Sequence, residues 1–370
     1  MHPRGIQLLE ENGHGEKLRR VSSLRWNHRT ASESSFLWDA PPRNIMLVQK
    51  PHDPSTAAAA RRLAKWLRDE RGANVLVSPQ QHKRGEMTKY AAWDNECPGK
   101  GIDLAVTLGG DGTLLHLSSL FQRDDEQVPP VLSFHLGSLG FLTPFDFEDH
   151  KTHFDHIFAA HTHEENAVRV QLRMRLRADV FDEKGVLQAS RHVLNEVVID
   201  RAGAALSHLG RLELLVDDAH VTTAQADGLI VSSPTGSTAY SMSAGGSMAA
   251  PNCPCMLVTP ICPHTLSFRP LIVPDSTNVT ILFPQDAILP YDNSEASGKA
   301  SEAQVSFDGR DPVRLLPGYF VRISASASPL PSLKLGRRND EWFAAINEKL
   351  HWNKRRLQQR WPVPVPQSQL

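Results

Sequence analysis

The stretch that most constrains the fold of this chain runs from Leu104 to Leu115 and reads Leu-Ala-Val-Thr-Leu-Gly-Gly-Asp-Gly-Thr-Leu-Leu. Its first five residues predict a short buried strand, which stops abruptly at Gly109 and Gly110. The residues that follow have the pattern of a helix start. Glycines let backbone amides approach a phosphate closely, and a helix N-terminus adds partial positive charge at the same place. The stretch therefore predicts a strand, a turn and a helix that could hold a polyphosphate.

Asp111 is the unusual member of this turn. A carboxylate beside a phosphate repels it, unless the carboxylate coordinates a metal or takes a proton from an attacking hydroxyl. Asp111, followed by Gly112 and Thr113, therefore points to phosphoryl transfer. The alternative is a plain tight turn in which Asp111 caps the helix, because Gly and Asp mark turns in many proteins. This stretch alone leaves both interpretations open.

The overall composition is that of a globular chain with a sizeable core. The 370 residues suggest two domains plus tails, with 40% apolar residues, 22% charged residues and a net charge of -1. This balance indicates no general attraction to nucleic acid or membranes, and the apolar stretches fall short of the ~18 residues that a spanning helix needs. The four cysteines fit a reducing compartment. Three of them lie close together but lack a standard zinc spacing, so we expect loop or core thiols: Cys253, Cys255 and Cys262.

The first half of the chain alternates between strand and helix patterns. Strands are predicted at 45–48, 75–77, 104–108 and 131–134, and a helix starts at Asp53-Pro54 and ends at Gly72. Residues 43–165 therefore form an α/β nucleotide-binding domain with a mainly parallel sheet. Residues 1–42 read as a disordered tail or a transit segment. Their basic, amphipathic part at 17–29 resembles a transit segment, although acidic residues precede it.

The pattern changes to a period of two after residue 165. Strict alternation over Val168–Val180 predicts one long strand with its arginines on a solvated face, and further strand patterns follow. Residues 166–335 are therefore predicted to form a β-rich domain. Residues 290–302 are a polar, serine-containing insertion, which predicts a mobile loop. A last amphipathic helix within 337–352 is expected to pack back on the first domain, and 353–370 is a flexible tail.

Two further segments carry polar residues in apolar surroundings. Asn195 and Glu196 interrupt an apolar strand pattern, and an amide beside a carboxylate suits the paired hydroxyls of a ribose; a surface polar pair is the alternative. Because neighbouring strand residues point to opposite faces, we expect the pair at a strand end or a cleft rather than inside one core. In the second segment, Asp227–Ser247, a buried strand leads into hydroxyls and glycines that resemble a second ligand cradle. A low-complexity linker is the alternative there.

Taken together, these motifs resemble the NAD kinase family in order and spacing over about residues 43–350. The blocks that carry the resemblance are Gly109–Thr113, Gly137-x-x-Gly140-Phe141-Leu142, Asn195-Glu196, Asp227-Gly228, Pro234-Thr235-Gly236-Ser237-Thr238-Ala239-Tyr240 and Thr259–Pro270. Within that family the chain is most similar to the fungal mitochondrial NADH kinases. The resemblance implies an α/β domain of the diacylglycerol kinase and phosphofructokinase type followed by a β-rich NAD-binding domain.

The resemblance also implies a reaction and a set of site residues. The γ-phosphate of ATP would be transferred to the adenosine-ribose 2′-hydroxyl of NADH or NAD⁺, with Asp111 as the general base. Phosphate-binding residues would be Gly109, Gly110, Gly112 and Thr113. Dinucleotide-binding residues would be Phe141, Asn195, Glu196, Asp227, Thr238, Ala239, Tyr240 and Ser243, with Asp227 near or across a subunit boundary. Mg²⁺ would arrive mainly through the ATP phosphates rather than at a dedicated protein site.

The same resemblance implies a homo-oligomer, dimer or tetramer, with no nucleic-acid or membrane partner. It favours the mitochondrial matrix, with the cytoplasm as the alternative. One departure is Gln225, which stands where some family members carry arginine. A lipid or sugar kinase shares the Gly-Gly-Asp-Gly-Thr element and is a second enzymatic interpretation. A dinucleotide sensor without turnover is an interpretation of another class.

Overall fold

We analysed a computed structural model of the chain. The structure describes residues 6–12, 15–21, 34–83, 87–94, 96–201, 211–285, 303–334 and 340–353. The strands, numbered in chain order, are β1 Ile6–Asn12, β2 Gly15–Val21, β3 Ser34–Trp38, β4 Asn44–Gln49, β5 Asn74–Val77, β6 Ala91–Ala92, β7 Leu104–Leu108, β8 Val131–His135, β9 Phe145–Asp146, β10 Val168–Arg173, β11 Leu176–Phe181, β12 Leu187–Val193, β13 Glu196–Arg201, β14 Arg211–Val216, β15 Ala219–Gln225, β16 Gly228–Ser232, β17 Cys255–Ile261, β18 Leu271–Pro274, β19 Val279–Leu282, β20 Ala303–Phe307, β21 Arg310–Leu315, β22 Phe320–Ala325 and β23 Leu330–Leu333.

The helices follow the local start and stop signals where those are strong. Their bounds are α1 Pro54–Arg71, α2 Pro79–Lys83, α3 Asp111–Ser119, α4 His150–Ala159, α5 Tyr240–Ser243 and α6 Asp340–Lys349, with a 3₁₀ turn at Thr235–Thr238. Asp53 caps α1 by accepting hydrogen bonds from the amides of Ser55 and Thr56, and Gly72 ends the helix with a φ of 61°. The predicted start and end of this helix are confirmed.

The first unit is built on a parallel sheet with β7 near its centre. The strands β8, β7, β4, β5 and β6 lie side by side and pair in parallel, and every residue of β7 is buried. Helix α1 packs its apolar stripe, which includes Leu63 and Leu67, against this sheet. The predicted α/β unit is confirmed, and it places the end of β7 at the carboxyl edge of the sheet, where α/β proteins bind ligands.

Strands from the second half of the chain also belong to this sheet. β10 pairs with β3 and β23, and β23 pairs in parallel with β8. The predicted thirteen-residue strand over 168–180 is therefore wrong: β10 ends at Arg173, and β11 starts at Leu176 in another sheet. The prediction that the arginines of this strand lie on a solvated face is wrong as well, because Arg173 and Arg175 are only 6% and 0% exposed. Alternation survives across the break, so the sequence pattern does not reveal it.

Three strands lie where the sequence predicts a disordered tail or transit segment. β1 pairs with β2 and β3, and β3 continues the large sheet beside β10. Phe36 and Trp38 are fully buried and stack edge to face at 4.6 Å. Residues 34–42 therefore depart from the prediction for 1–42, because a short apolar run can gain its stability from a neighbouring strand that lies about 130 residues away.

The second unit contains two six-stranded antiparallel sheets. One has the order β12-β11-β22-β19-β14-β15, and the other has the order β18-β17-β16-β13-β20-β21. β11 contacts β13, and β12 contacts β20, so the two sheets meet through their apolar faces. This confirms the β-rich class of the second half.

The remaining sequence predictions concern the chain end, the insertion and membrane spans. In α6, Glu341 and Trp342 line a small cavity together with Gly140 and Phe141, so this helix lies beside the loop that follows β8. The insertion predicted at 290–302 and the tail beyond 353 lie outside the described residues. Among the helices that the structure describes, none has the length and apolar character needed to cross a bilayer.

Candidate active site

The first glycine turn joins β7 to α3 and leaves its backbone open. Gly109 has a φ of 147°, and a Cβ there would overlap Oγ1 of Thr113, so only glycine fits. By contrast, a Cβ at Gly110 or Gly112 would meet no atom within 4 Å. The amide of Thr113 donates to the Gly110 carbonyl at 2.8 Å, which closes the first turn of the helix. The helix start therefore presents unobstructed backbone, as a phosphate site requires.

A cavity of about 1150 Å³ opens directly in front of this helix start. Gly110, Gly112 and Thr113 form part of its wall. The basic side chains that line it come from both halves of the chain: Lys50, Arg61 and Arg310, together with His116. Asp53 also lines the cavity and forms a salt bridge with Lys50 at 3.2 Å. A helix N-terminus and several cations around one cavity suit a polyphosphate ligand.

Asp111 is held at the edge of this helix start by a second loop. Its Oδ2 accepts a hydrogen bond from the Phe141 amide at 3.1 Å, and its Oδ1 accepts one from the Leu142 amide at 3.0 Å. A Cβ at Gly140 would overlap Oδ1 of Asp111, so the close approach of the loop depends on glycine. The geometry thus explains why Gly140-Phe141-Leu142 accompanies the first glycine motif, and it fixes the orientation of the carboxylate.

Asn195 and Glu196 lie at the start of β13, where the sequence places them, and both are buried, at 8% and 7% exposed. The predicted position of the pair at a strand end is confirmed, because Asn195 precedes the regular strand and Glu196 is its first residue. Their backbone is fixed by the carboxylate of Asp308, which accepts hydrogen bonds from the amides of Leu194, Asn195 and Glu196 at 2.8 to 3.1 Å.

These two side chains retain unused hydrogen-bonding capacity. Oδ1 of Asn195 and Oε2 of Glu196 have no hydrogen-bond partner among the described residues. Burial, with the nearby charge of Asp308, raises the pKa of Glu196 to about 7, while the Tyr240 backbone amide acts in the opposite direction. Buried acceptors of this kind need a donor, and ligand hydroxyls can supply it.

A tight hairpin joins the two halves of the site. Asp308 and Gly309 form the two-residue turn between β20 and β21, with φ values of 49° and 70°, as a type I′ turn requires. The next residue, Arg310, reaches the helix start: its Nη2 lies 3.4 Å from the Gly112 carbonyl oxygen, and its Nη1 lies 3.4 Å from Nδ1 of His116. One turn therefore contacts both the Asn195-Glu196 backbone and the phosphate-binding helix.

Asp308 and Arg310 are site residues that the sequence reasoning missed. The signal that could have identified the turn is Asp-Gly between two strand patterns, a strong indication of a hairpin. That signal locates the turn but does not say which part of the fold the turn touches.

Two hydroxyls of the second glycine- and hydroxyl-rich segment bond to backbone carbonyls, whereas the buried Oγ1 of Thr235 has no hydrogen-bond partner among the described residues. Oγ of Ser233 donates to the Leu194 carbonyl at 2.5 Å, and Oγ of Ser237 donates to the Pro234 carbonyl at 2.7 Å. A Cβ at Gly236 would overlap the carbonyl of Asn195, so this segment packs directly on the backbone of Asn195. The second ligand cradle stays a prediction, and within this segment the Ser233 hydroxyl bonds to the backbone next to Asn195.

Tyr240 marks the part of this segment that faces outward. It is 42% exposed, and its backbone amide donates to Glu196. Burial, together with the nearby carboxyl groups of Asp200, Asp227 and Glu196, raises the pKa of its hydroxyl. Tyr240, Asp227 and Glu196 are thus brought together, and Asp200 joins them as a residue that the sequence reasoning did not select.

The other predicted dinucleotide residues are less uniform in exposure. Phe141, Thr238 and Ala239 are half-buried, and Ser243 is exposed. None of the predicted dinucleotide residues lines the 1150 Å³ cavity, whose wall includes three of the four predicted phosphate residues, Gly109 excepted. The described residues contain no cluster of three or more His, Cys, Asp or Glu side chains that could hold a metal ion.

Two family models match this chain over most of the described structure. The ATP-NAD kinase N-terminal domain matches residues 45–162, and the ATP-NAD kinase C-terminal domain matches residues 194–335. Together they contain both glycine motifs, the Asn195-Glu196 pair and the Asp308–Arg310 turn.

Individual proteins give the same result. The chain is 39% identical over 342 residues to a probable chloroplastic NAD kinase 2 from Oryza sativa, covering 90% of this chain and 33% of the rice protein. It is 38% identical over 346 residues to an ATP-NADH kinase from Saccharomyces cerevisiae, covering 85% of this chain and 65% of the yeast protein. The chain therefore spans between a third and two thirds of the length of these relatives.

A solved structure extends the likeness to three dimensions. Yeast NADH kinase, determined in complex with NADH, matches with a TM-score of 0.76 and 30% identity over 92% of this chain and 94% of the yeast chain. The two matching domain models and this near full-length relative show that the chain belongs to the NAD kinase family.

Proposed function

We propose that this protein transfers the γ-phosphate of ATP to the adenosine-ribose 2′-hydroxyl of NADH or NAD⁺. The observation that carries the proposal is Asp111, a carboxylate held by two backbone amides beside a cavity with open glycine backbone and cationic walls. A carboxylate in that place hinders simple phosphate binding, and a reaction that removes a proton from a hydroxyl explains its presence.

The cavity is the proposed site of the donor. The amides at Gly110 and Gly112 and the positive end of α3 would bind the phosphates of ATP, and Gly109 would permit the turn. Arg310 would exchange its long contacts with Gly112 and His116 for shorter, charge-assisted bonds to phosphate oxygens.

The second half of the site would hold the acceptor. Asn195 and Glu196 would accept hydrogen bonds from ribose hydroxyls or adenine through atoms that lack partners in the described protein. Phe141, Asp227, Thr238, Ala239, Tyr240 and Ser243 would line the rest of the dinucleotide site.

In the reaction, the 2′-oxygen forms a bond to the γ-phosphorus while the bond from that phosphorus to the β,γ-bridging oxygen breaks. ADP leaves, and the hydroxyl proton moves to Asp111. The protein contributes mainly position and charge.

Mg²⁺ is compatible with the residues present. Asp111 at the start of α3 and Asp53 on the cavity wall are carboxylates near the phosphate site, and Mg²⁺ usually binds through one or two carboxylates, substrate phosphates and waters. Bound in that way, it would neutralise charge on the ATP phosphates. A nearby carboxylate of this chain would contribute the protein ligand, because the backbone amides at Gly110 are donors that would bind the phosphates and not the cation.

We also propose a homo-oligomer in which Asp227 lies near a neighbouring subunit, and a mitochondrial matrix location with the cytoplasm as the alternative. A fluorescent fusion tests the location. The full chain and an N-terminal deletion are each fused to a fluorescent protein and compared. The deletion should end before Ser34, because a deletion to residue 42 would also remove the buried Phe36 and Trp38. Unchanged cytosolic fluorescence in both fusions would reject matrix import.

The first test of the reaction compares wild type with Asp111→Asn. Each enzyme receives ATP and Mg²⁺ with NADH or NAD⁺ in parallel, and 2′-phosphorylated product is measured alongside NADH affinity. We expect product from wild type, a loss of about 10²-fold or more in kcat for the variant, and retained NADH binding. Absence of product from a folded, NADH-binding wild type would instead favour a sensor.

A further inference from the structure

Arg175 is a fully buried cation at the C-terminal end of the helix that begins with Asp111. Its Nη1 donates to the carbonyl of Phe121 at 2.7 Å and lies 3.4 Å from the carbonyl of Ser118, and its Nε donates to the carbonyl of Ser328 at 2.7 Å. The last carbonyls of a helix have no partner within the helix and carry partial negative charge. Arg175 therefore bonds the residue just beyond α3 to the Ser328 carbonyl and places a compensating charge at the negative end of the helix.

A second set of contacts joins the same helix end to β12. The side chain of Gln122 donates to the His192 carbonyl at 3.0 Å and accepts from the His192 amide at 2.9 Å. Asp124 accepts from Arg177 at 2.6 Å, and its other oxygen lies 3.1 Å from Nε2 of His192. The segment after α3 is thus hydrogen-bonded to β12 through Gln122 and to β11 through Asp124.

This arrangement relates the two reactive parts of the site. Asp111 is the first residue of α3, which has nine residues and is therefore about 13 Å long. β12 ends two residues before Asn195, so the strand that is bonded to the end of α3 leads directly into the Asn195-Glu196 pair. The distance between Asp111 and the acceptor-binding pair consequently depends on how the far end of α3 is attached.

We propose that Arg175 is a positioning residue for phosphoryl transfer. By fixing the C-terminal end of α3 to the unit that carries Asn195 and Glu196, it sets the position of Asp111 relative to the bound dinucleotide. This inference rests on the proposed kinase function. Catalysis by placement is sensitive to distance, and a displacement of about 1 Å can cost on the order of 10²-fold in rate.

The test uses Arg175→Lys, because a lysine keeps the charge but cannot present the same planar set of donors to three carbonyls. We expect kcat to fall by about 10-fold or more, while the Kd for NADH, measured from its fluorescence, changes by less than about 3-fold. Val180→Ala is the matched control: it truncates a buried residue on β11 and should lower Tm while leaving kcat unchanged. Wild-type kcat in Arg175→Lys, or an equal loss of kcat in Val180→Ala, would overturn the proposal.

A double-mutant cycle tests whether the effect passes through Asp111. If it does, Arg175→Lys combined with Asp111→Asn is no slower than Asp111→Asn alone, because no base remains to be positioned. If the two losses multiply, Arg175 acts independently of Asp111, and the proposal is rejected. Full activity in Asp111→Asn alone would refute the proposed base itself, which is a separate outcome.

Gln122→Ala provides a second variant that loosens the same attachment without touching a buried charge. This variant tests the proposal if Arg175→Lys does not fold. It should show the same split, a lower kcat with unchanged NADH affinity, and the same lack of additivity with Asp111→Asn. Unchanged kcat in a folded Gln122→Ala would count against the proposal.

Discussion

The two glycine-containing turns of this protein follow buried strands and contain similar small residues, but their polar groups point to different partners. The turn Gly109–Thr113 directs open backbone toward a cavity of about 1150 Å³. In the segment Ser233–Tyr240, the Ser233 and Ser237 hydroxyls instead bond to the carbonyls of Leu194 and Pro234, and Gly236 packs against Asn195. The first turn leaves its backbone open to the cavity, whereas part of the second segment holds the backbone of Asn195 in place.

This difference shows that a glycine can be required for two distinct reasons. At Gly112, the absence of a side chain leaves room for something outside the protein. At Gly236 and Gly140, it lets two parts of the protein come together, onto Asn195 in one case and onto Asp111 in the other. Substitutions at these positions should therefore fail in different assays.

The largest effect is expected for Gly140→Ala. The new methyl group would overlap Oδ1 of Asp111 and displace the carboxylate from the Phe141 and Leu142 amides, so kcat should fall by about 10²-fold with NADH affinity retained. Gly137→Ala is the control from the same loop, because a Cβ there meets no atom within 4 Å. Steady-state kinetics of both variants check the prediction, and equal losses would contradict it.

Gly236→Ala and Gly112→Ala test whether the two glycines are required for different reasons. Gly236→Ala should destabilise the protein by about 1 to 3 kcal/mol and weaken NADH binding, because its methyl group overlaps the Asn195 backbone. Gly112→Ala should keep the Tm of wild type but raise the KM for ATP, since its methyl group points into free space beside the phosphates. Thermal unfolding, NADH fluorescence and ATP titration measure the three quantities. Equal changes of Tm and of the KM for ATP in both variants would contradict the distinction between the two turns.

Arg310→Lys tests the link between the two halves of the site. We expect the KM for ATP to rise by roughly 10-fold, because a lysine cannot form two parallel bonds to phosphate oxygens. Arg314→Lys on the same strand is the matched control, since Arg314 does not line the cavity. A change in NADH affinity without a change in the KM for ATP would place Arg310 on the acceptor side instead.

Glu196→Gln should change the stability of the protein in a pH-dependent way. The pKa of Glu196 in the folded protein, about 7, exceeds its ordinary value of 4.5, so its favourable contribution is complete below about pH 4.5 and is lost as pH rises through 7. A neutral glutamine avoids that loss. The variant should therefore gain stability over wild type by on the order of 2 kcal/mol at pH 8.5 and by much less at pH 5.

Unfolding curves at the two pH values check this, with Glu70→Gln at an exposed helix position as the control. A pH-independent difference between Glu196→Gln and wild type would contradict the assignment of the raised pKa to this residue.

Local signals in the sequence determined a large part of this structure. The caps of α1, the buried strand β7 and the turn into α3 are set by residues within a few positions of one another, so their pattern can be recognised directly. The same holds for the choice of Asp111 as the chemically unusual residue and for the division into an α/β and a β-rich half.

Tertiary structure alone decided the features that depend on distant partners. Alternation over 168–180 continues without interruption although the strand changes sheets, and only the packed fold buries Arg175 against the end of α3. Likewise, an Asp-Gly turn is predictable, but its contact with both Asn195 and Gly112 is created by residues more than 100 positions apart. The periodicity of a sequence reports which residues share a face of one element, and it carries no information on which element will cover that face.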